Sequence, residues 1–118
     1  MSLSHRVEHR NGYTVVRADG EPSLGQFLSF LQLMGVESAG FPARRVLFDL
    51  RGVRSLTEPG EHRAVGEEVV RRLGHLERIA SVVPPDRLTR ASEKAAREGG
   101  VDITVFIEEG EAIRWLTR

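Results

Sequence analysis

The run RVLFDL, residues 45–50, consists mostly of apolar side chains, a pattern typical of a β-strand buried on both faces of a sheet. Residues 51–57 follow as a short loop. A helix is predicted over residues 58–73, and Gly74 is well suited to end it. Because parallel strands need long, usually helical connections, a buried strand followed by a helix predicts an α/β fold.

Toward the N-terminus, the pair Asn11-Gly12 is the clearest turn signal in the sequence. It separates two strand-like segments, residues 6–10 and 13–18. Both residues of an Asn-Gly pair tolerate positive φ, which a type I′ hairpin turn requires. We therefore predict that the first two strands are antiparallel neighbours.

Helices and strands alternate through the rest of the chain. A first helix is predicted over residues 24–36, with Ser23 or Asp19 as its cap. The later elements are a strand over residues 79–83, a polar helix capped by Asp86 and ending at Gly99-Gly100, a strand over residues 102–107 and a short helix carrying residues 112–116. The order β-β-α-β-α-β-α-β-α predicts a mixed, mostly parallel five-stranded sheet with an N-terminal hairpin and about four helices. We expect one domain over residues 4–118.

The helix over residues 58–73 has the pattern of an ordinary surface helix. Its apolar stripe consists of Val65, Val69, Val70 and Leu73. On the other side, Glu67 and Glu68 precede Arg71 and Arg72 by four residues. This spacing predicts two exposed i,i+4 ion pairs.

Charge and composition exclude several classes of function. Seventeen Lys plus Arg balance seventeen Asp plus Glu, so electrostatics gives no reason to expect nucleic acid or an anionic membrane as a partner. Cys is absent, which excludes disulfides and thiolate chemistry. No apolar run reaches the roughly 20 residues that span a bilayer, and the N-terminus lacks the apolar region of a signal peptide. We therefore expect a cytoplasmic protein with no transmembrane segment.

Motifs for catalysis and metal binding are missing from the sequence. It contains no Gly-x-Ser-x-Gly, no phosphate-cradling Gly-x-x-x-x-Gly-Lys and no Gly-x-Gly-x-x-Gly. His5 and His9 are four residues apart, but on a predicted strand, and no HExxH motif or carboxylate cluster accompanies the histidines. We expect a protein that is not an enzyme, with no cofactor and no bound metal.

The helix over residues 24–36 is apolar on more than one side. Its core stripe consists of Leu24, Phe27, Leu28, Leu31 and Met34, and a second strip beside it consists of Phe30, Leu33 and Val36. Leaving such side chains in water would forgo about 1.5–3 kcal/mol each. We therefore expect the loop over residues 37–43, a second subunit or an apolar ligand to cover the second strip. The predicted ligand or partner surface is made of Phe27, Phe30, Leu31, Leu33 and Met34.

The segment around the buried strand carries a resemblance to a known family. Residues 46–53 read VLFDLRGV, and residues 54–60 read RSLTEPG. With the order of elements, this segment resembles the STAS fold of the SpoIIAA-like anti-sigma factor antagonists. It is most similar to a divergent bacterial branch related to the lipid-binding CRAL-TRIO domains. In that family a hydrophobic strand and a short loop lead to Asp-Ser-Ser-Gly at a helix start, and a partner kinase phosphorylates the second Ser.

At the corresponding positions of this sequence, Thr57 stands for the Asp, Glu58 for the first Ser, Pro59 for the phosphorylated Ser and Gly60 for the Gly. Because proline has no hydroxyl, the resemblance implies that the usual phosphoacceptor is missing. Thr57 and Pro59 instead suit helix initiation, as a hydroxyl cap followed by proline in the first turn. Ser55 and Thr57 are nearby hydroxyls, and phosphorylation of either remains an alternative.

Two functions agree with these features. The first is a non-enzymatic binding domain that uses the helix over residues 24–36 for an apolar small molecule, a lipid surface or formation of a homodimer. The alternative is a regulatory protein-interaction module that resembles an anti-sigma factor antagonist but lacks its phosphoacceptor serine. A fold alone does not decide between them, because function depends on the site.

Overall fold

Five strands and four α-helices make up the described part of the chain, residues 3–56, 58–88 and 90–118 of a computed structural model. In chain order they are β1 (Leu3–Arg10), β2 (Tyr13–Gly20), α1 (Leu24–Ser38), β3 (Arg45–Val53), α2 (Pro59–Leu73), β4 (Arg78–Val82), α3 (Ala91–Glu98), β5 (Ile103–Phe106) and α4 (Glu109–Leu116). This confirms the predicted fold class, a mixed and mostly parallel five-stranded sheet with four helices.

The strands lie side by side in chain order, from β1 to β5. β1 and β2 are antiparallel, with Arg10 paired to Tyr13, and every other neighbouring pair is parallel. The predicted hairpin is therefore confirmed. Its turn is not type I′, however, because Gly12 takes a positive φ of 88° whereas Asn11 does not.

Helices cover the two faces of the sheet unequally. Because parallel crossovers are right-handed and the strand order advances in one direction, α1, α2 and α3 share one face, while α4 packs on the other. The larger core lies under the three helices and includes Val16, Phe27, Met34, Val46, Phe48, Leu73, Ile79 and Ile103. The smaller core lies under α4 and consists of Val15, Leu47, Ala80, Val82, Ala112 and Leu116.

Two glycines let the three helices on the larger core approach closely. A Cβ on Gly35 of α1 would lie 2.8 Å from the carbonyl oxygen of Arg72 on α2. A Cβ on Gly66 of α2 would lie 2.6 Å from the carbonyl oxygen of Ser92 on α3. Real Cβ atoms do not come this near, so both helix crossings depend on the missing side chain.

The start of α3 differs from the sequence-based prediction. Asp86 does not cap it but lies in a short 3-10 turn, Pro85–Arg87, and α3 begins at Ala91. Glu93 in its first turn is buried and accepts a hydrogen bond of 2.7 Å from the backbone N–H of Val105. Because β5 is an edge strand, this carboxylate satisfies a donor that no neighbouring strand can reach.

The predicted charge pairs of α2 are partly wrong. Glu68 was predicted on the exposed side of α2, but its side chain is buried. The residue is only 3 % exposed, because it lies where α1 crosses α2. Its carboxylate accepts hydrogen bonds of 2.9 Å from both Arg71 and Arg72, and Gln32 of α1 donates a longer one. Glu67 therefore does not pair with Arg71, and its carboxylate lies 3.5 Å from the guanidinium of Arg63 instead.

Candidate functional site

A cavity of about 320 Å³ lies between the sheet and the three helices that share its larger core. It is at the carboxyl ends of β3 and β4, where the connections to α2 and α3 leave the sheet. Ligands of parallel α/β sheets bind most often at this end of the strands. The volume lies at the lower end of the range of small-molecule pockets, about 300–1,000 Å³.

The walls of this cavity are mostly apolar side chains from every element around it. They include Phe27, Phe30 and Leu31 of α1, Phe48 and Leu50 of β3, Val65, Val69 and Leu73 of α2, Ile79 of β4, and Ile103 and Val105 of β5. With Ser92 of α3, three helices and three strands build one mostly apolar chamber, and sequence periodicity gave no sign of it.

Ser81 is the polar exception on the sheet side of the cavity. It is paired with Phe48 on β3 and with Val105 on β5, so the three side chains form one row across the wall. Ser81 is 8 % exposed. The described residues give its hydroxyl no hydrogen bond, and because none of their buried side-chain polar atoms lacks a partner, the hydroxyl is accessible from the cavity.

The rim of the cavity is formed by the β3–α2 loop, the start of α2 and the connection before α3. Leu56 has a φ of 68°, a left-handed conformation that is uncommon outside glycine, and its side chain packs against the larger core. Ser55 donates a hydrogen bond of 2.6 Å to the carbonyl oxygen of Pro22. Asp86 and Arg87 line the rim from the other side, with opposite charges.

His62 is the titratable ring at this rim, one turn into α2. Partial burial lowers its pKa, while the nearby carboxylate of Glu61 acts in the opposite direction. The neutral imidazole is therefore favoured at the cavity mouth.

The position that the sequence resemblance aligns with the phosphosite of SpoIIAA-like proteins lies beside this rim. Pro59 is the first residue of α2, and Glu58 is the residue that precedes the helix. Glu58, Pro59 and Gly60 are all exposed, and the backbone N–H of Glu58 donates to the carboxylate of Glu61. The predicted hydroxyl cap is therefore replaced by Glu58 at the cap position, and Thr57 lies outside the described residues.

The structure divides the predicted surface of α1 between two environments. Phe27, Phe30 and Leu31 line the cavity, and Met34 is fully buried in the larger core. Leu33 lies outside, 43 % exposed. These five side chains therefore do not form one continuous surface.

The second apolar strip of α1 is covered only in part. The ring of Phe30 packs against His5 of β1, at 5.4 Å between ring centroids, and against Phe48 of β3. Val36 is 76 % exposed, like a solvent-facing side chain. Phe41, in the loop that was expected to cover the strip, packs instead on the core and on His9 of β1. The first strand, rather than that loop, accounts for the burial of Phe30.

A charge network occupies the opposite face of the sheet, beside α4. Arg17 of β2 donates hydrogen bonds of 2.9 Å to Asp49 of β3 and 2.8 Å to Glu109 of α4. Arg51 also donates to both carboxylates. Its place in this network keeps the Arg51 side chain away from the start of α2.

The pKa values of the network follow from these contacts. Hydrogen bonding to Arg17 lowers the pKa of Glu109 and outweighs the effect of burial. Burial raises the pKa of Asp49, but hydrogen bonds from Arg51 and Arg17 lower it by more. Both carboxylates are therefore ionised in the folded protein at neutral pH.

Two other features concern metals and membranes. In the part of the chain that the structure describes, no group of three His, Asp or Glu side chains is placed to hold a metal ion. Within the same residues, no helix has the length and apolar character to cross a bilayer.

Comparison with known proteins shows a fold but not a sequence family. No model of a known protein family matches this sequence, and no curated protein matches it. Its fold is similar to that of an anti-sigma factor antagonist from Mycobacterium paratuberculosis, with a TM-score of 0.70 at 17% identity over 99% of this chain and 96% of that one.

A second similar structure is an uncharacterised protein of the DUF3478 family with a SpoIIAA-like fold from Shewanella loihica PV-4. Its TM-score is 0.61 at 16% identity, over 98% of this chain and 94% of that one. The relation to CRAL-TRIO domains stays a prediction. The chain has the α/β fold shared by SpoIIAA-like proteins and anti-sigma factor antagonists.

Proposed function

We propose that this protein is a non-enzymatic regulatory module that binds a protein partner, in the manner of an anti-sigma factor antagonist. The observation that carries this proposal is the similarity to such an antagonist over nearly the full length of both chains. The fold similarity favours the interaction module over an apolar-ligand function of α1. Leu33 and Val36 are the side chains of the second apolar strip of α1 that stay exposed.

The surface we assign to the partner surrounds the β3–α2 loop and the start of α2. Its exposed residues are Arg54, Glu58, Pro59, Gly60 and Arg63. The left-handed backbone of Leu56 shapes the loop between them. Backbone strain of this kind is frequent at functional loops, where the surrounding structure holds it in place.

Partner binding at this surface would not be switched by phosphate at the usual position. Pro59 offers no hydroxyl, and the hydroxyl of Ser55 already donates to the carbonyl oxygen of Pro22. We therefore propose a constitutive form of the interaction, in which binding does not depend on a kinase acting at the start of α2.

The partner surface is tested by measuring affinity for anti-sigma factors encoded in the same genome. The double variant Arg54→Glu/Arg63→Glu should bind about tenfold more weakly or worse, because charge reversal at an interface opposes association. The matched control is Arg114→Glu on α4, an exposed arginine on the other side of the sheet, which should bind like the parent. Equal affinity of all three proteins, or no binding by the parent, would contradict the proposal.

The constitutive form is tested by intact-mass measurement after incubation with an anti-sigma-type kinase and ATP. The parent mass should not change, and Pro59→Ser should gain a phosphate, because it restores a hydroxyl at the first position of α2. Stoichiometric phosphate on Ser55 or Thr57 of the parent would instead indicate a phosphorylation switch.

A further inference from the structure

We infer that the cavity beneath the β3–α2 loop is a binding site for a small, mainly apolar molecule that carries one uncharged hydrogen-bonding group, which pairs with Ser81. This inference goes beyond the protein-interaction function and rests on other observations. They are the size of the cavity, the chemistry of its walls and the state of the Ser81 hydroxyl.

The size of the cavity is the first observation. Protein interiors are close-packed, and voids larger than a water molecule are few. The space of about 320 Å³ is far larger than such a void and opens to solvent at the rim, as a ligand pocket does. Ligand pockets begin at about this volume, about 300 Å³.

The walls determine the main body of the ligand. The rings of Phe27, Phe30 and Phe48 and the aliphatic side chains of α2, β4 and β5 present an apolar surface. Cavities with such walls hold water poorly and take up apolar molecules. The ligand body is therefore hydrocarbon-like.

Ser81 determines the polar group of the ligand. Its hydroxyl lies in the row between Phe48 and Val105, where no described side chain pairs with it. Because this hydroxyl is accessible from the cavity, a ligand hydroxyl, carbonyl or amine that reaches it gains a hydrogen bond in largely apolar surroundings.

The rim explains why that polar group is uncharged. The charged side chains that line the cavity are those of Asp86 and Arg87, which are adjacent in sequence and opposite in sign. Partial burial lowers the pKa of His62, which favours its neutral ring. Neither the rim nor the walls therefore carry an excess charge that would bind an ionised ligand.

The test uses N-phenyl-1-naphthylamine, a neutral aromatic compound with a single N–H whose fluorescence rises in apolar surroundings. The purified full chain should bind one equivalent saturably. Ser81→Ala should weaken this binding about tenfold, the effect of losing one hydrogen bond in an apolar site. Ser81→Thr, which keeps the hydroxyl, should bind within a few-fold of the parent.

Two further variants distinguish the cavity from the outer surface of the protein. Val65→Phe should abolish binding because the larger ring fills the chamber from α2. Ser92→Phe should fill the chamber from α3 in the same way. It is the substitute variant if Val65→Phe fails to fold. Leu33→Gln, on the outer side of α1, is the control and should bind like the parent.

The inference is overturned by any of three results. The parent shows no saturable binding, Ser81→Ala binds as tightly as the parent, or the Leu33→Gln control loses binding while the cavity-filling variants keep it. The first result would mean that the chamber holds only water. The third would place the apolar site on the outer strip of α1.

Discussion

Arg17 is the residue that joins the most distant parts of the chain. Its guanidinium contacts carboxylates of β1, β3 and α4, namely Glu8, Asp49 and Glu109. These contacts fix the start of α4 against the sheet. Among the described elements, α4 is the one helix on that face. The network also makes the stability of the protein depend on pH.

The pH dependence follows from the lowered pKa of Glu109. The main cause of this lowering is the hydrogen bond from Arg17. A carboxylate with a lowered folded-state pKa contributes stability that is present above its unfolded pKa and is lost as pH falls through the folded pKa. We expect the free energy of unfolding to decrease as pH falls below 4.5, the ordinary pKa of a glutamate side chain. Glu109→Gln should flatten this dependence and cost about 0.5–1 kcal/mol at pH 7. Urea unfolding from pH 3 to 7 measures both.

The control for this prediction is Glu67→Gln on α2, a carboxylate whose contact with Arg63 is long and exposed. Its pH profile should follow that of the parent. If Glu109→Gln has the same profile as the parent, the network contributes nothing measurable to the fold.

Among the elements, α2 is the one whose position depends most on small side chains. It is crossed by α1 at Gly35 and by α3 near Gly66, with backbone atoms closer than a methyl group allows. The three helices therefore pack as one layer over the sheet, and the cavity lies beneath that layer.

We expect Gly66→Ala to destabilise the protein by about 1–3 kcal/mol, because the new methyl group would overlap the carbonyl oxygen of Ser92. The matched control in the same helix is Gly60→Ala, whose Cβ would meet nothing within 4 Å. That change should be neutral or stabilise by up to about 1 kcal/mol, since alanine favours helix more than glycine does. Chemical denaturation of the two variants measures the difference, and an equal effect of both would contradict the close crossing.

The outer side of α1 leads to a different expectation. Leu33 and Val36 are exposed whereas Phe30 is buried by β1 and β3. Leu33→Gln/Val36→Gln should therefore change stability by no more than about 0.5 kcal/mol, while Phe30→Ala should lose about 3–5 kcal/mol. Thermal melting at several protein concentrations measures both and also detects a dimer. A large loss in the Gln variant that depends on concentration would mean that a second subunit covers the strip.

For the whole molecule, several features with a local sequence signal were predicted correctly, although the type I′ turn and the Asp86 cap were not. The Asn11-Gly12 hairpin, the Ser23 cap of α1 and the buried strand at Val46 each depend on neighbouring residues, and the structure has all three. The mostly parallel sheet also follows from the alternation of strands and helices, whereas no local signal predicted the order of its strands.

Features that depend on contacts between distant residues were not predicted. Glu68 has the sequence spacing of an exposed ion pair, but the crossing by α1 buries it. The hydrogen bond from Arg17 to Glu109 joins residues 92 positions apart, and no local pattern marks it. The cavity is a space between six elements, so its volume is set by how they pack and not by any one segment.

The two faces of the sheet differ in how many helices protect them, and this difference predicts where the fold is most vulnerable. In the described structure, α4 is the helix that covers the smaller core, and Leu116 near its end is fully buried against that core. We expect Leu116→Ala to lose about 2–5 kcal/mol, a large part of the about 5–15 kcal/mol that stabilises a typical domain. Arg114→Ala, exposed on the same helix, should change stability by less than about 0.5 kcal/mol. Urea unfolding compares the two variants. If the two variants are equally stable, the sheet keeps its fold without the packing of α4. The three helices of the larger core would then be sufficient to stabilise it.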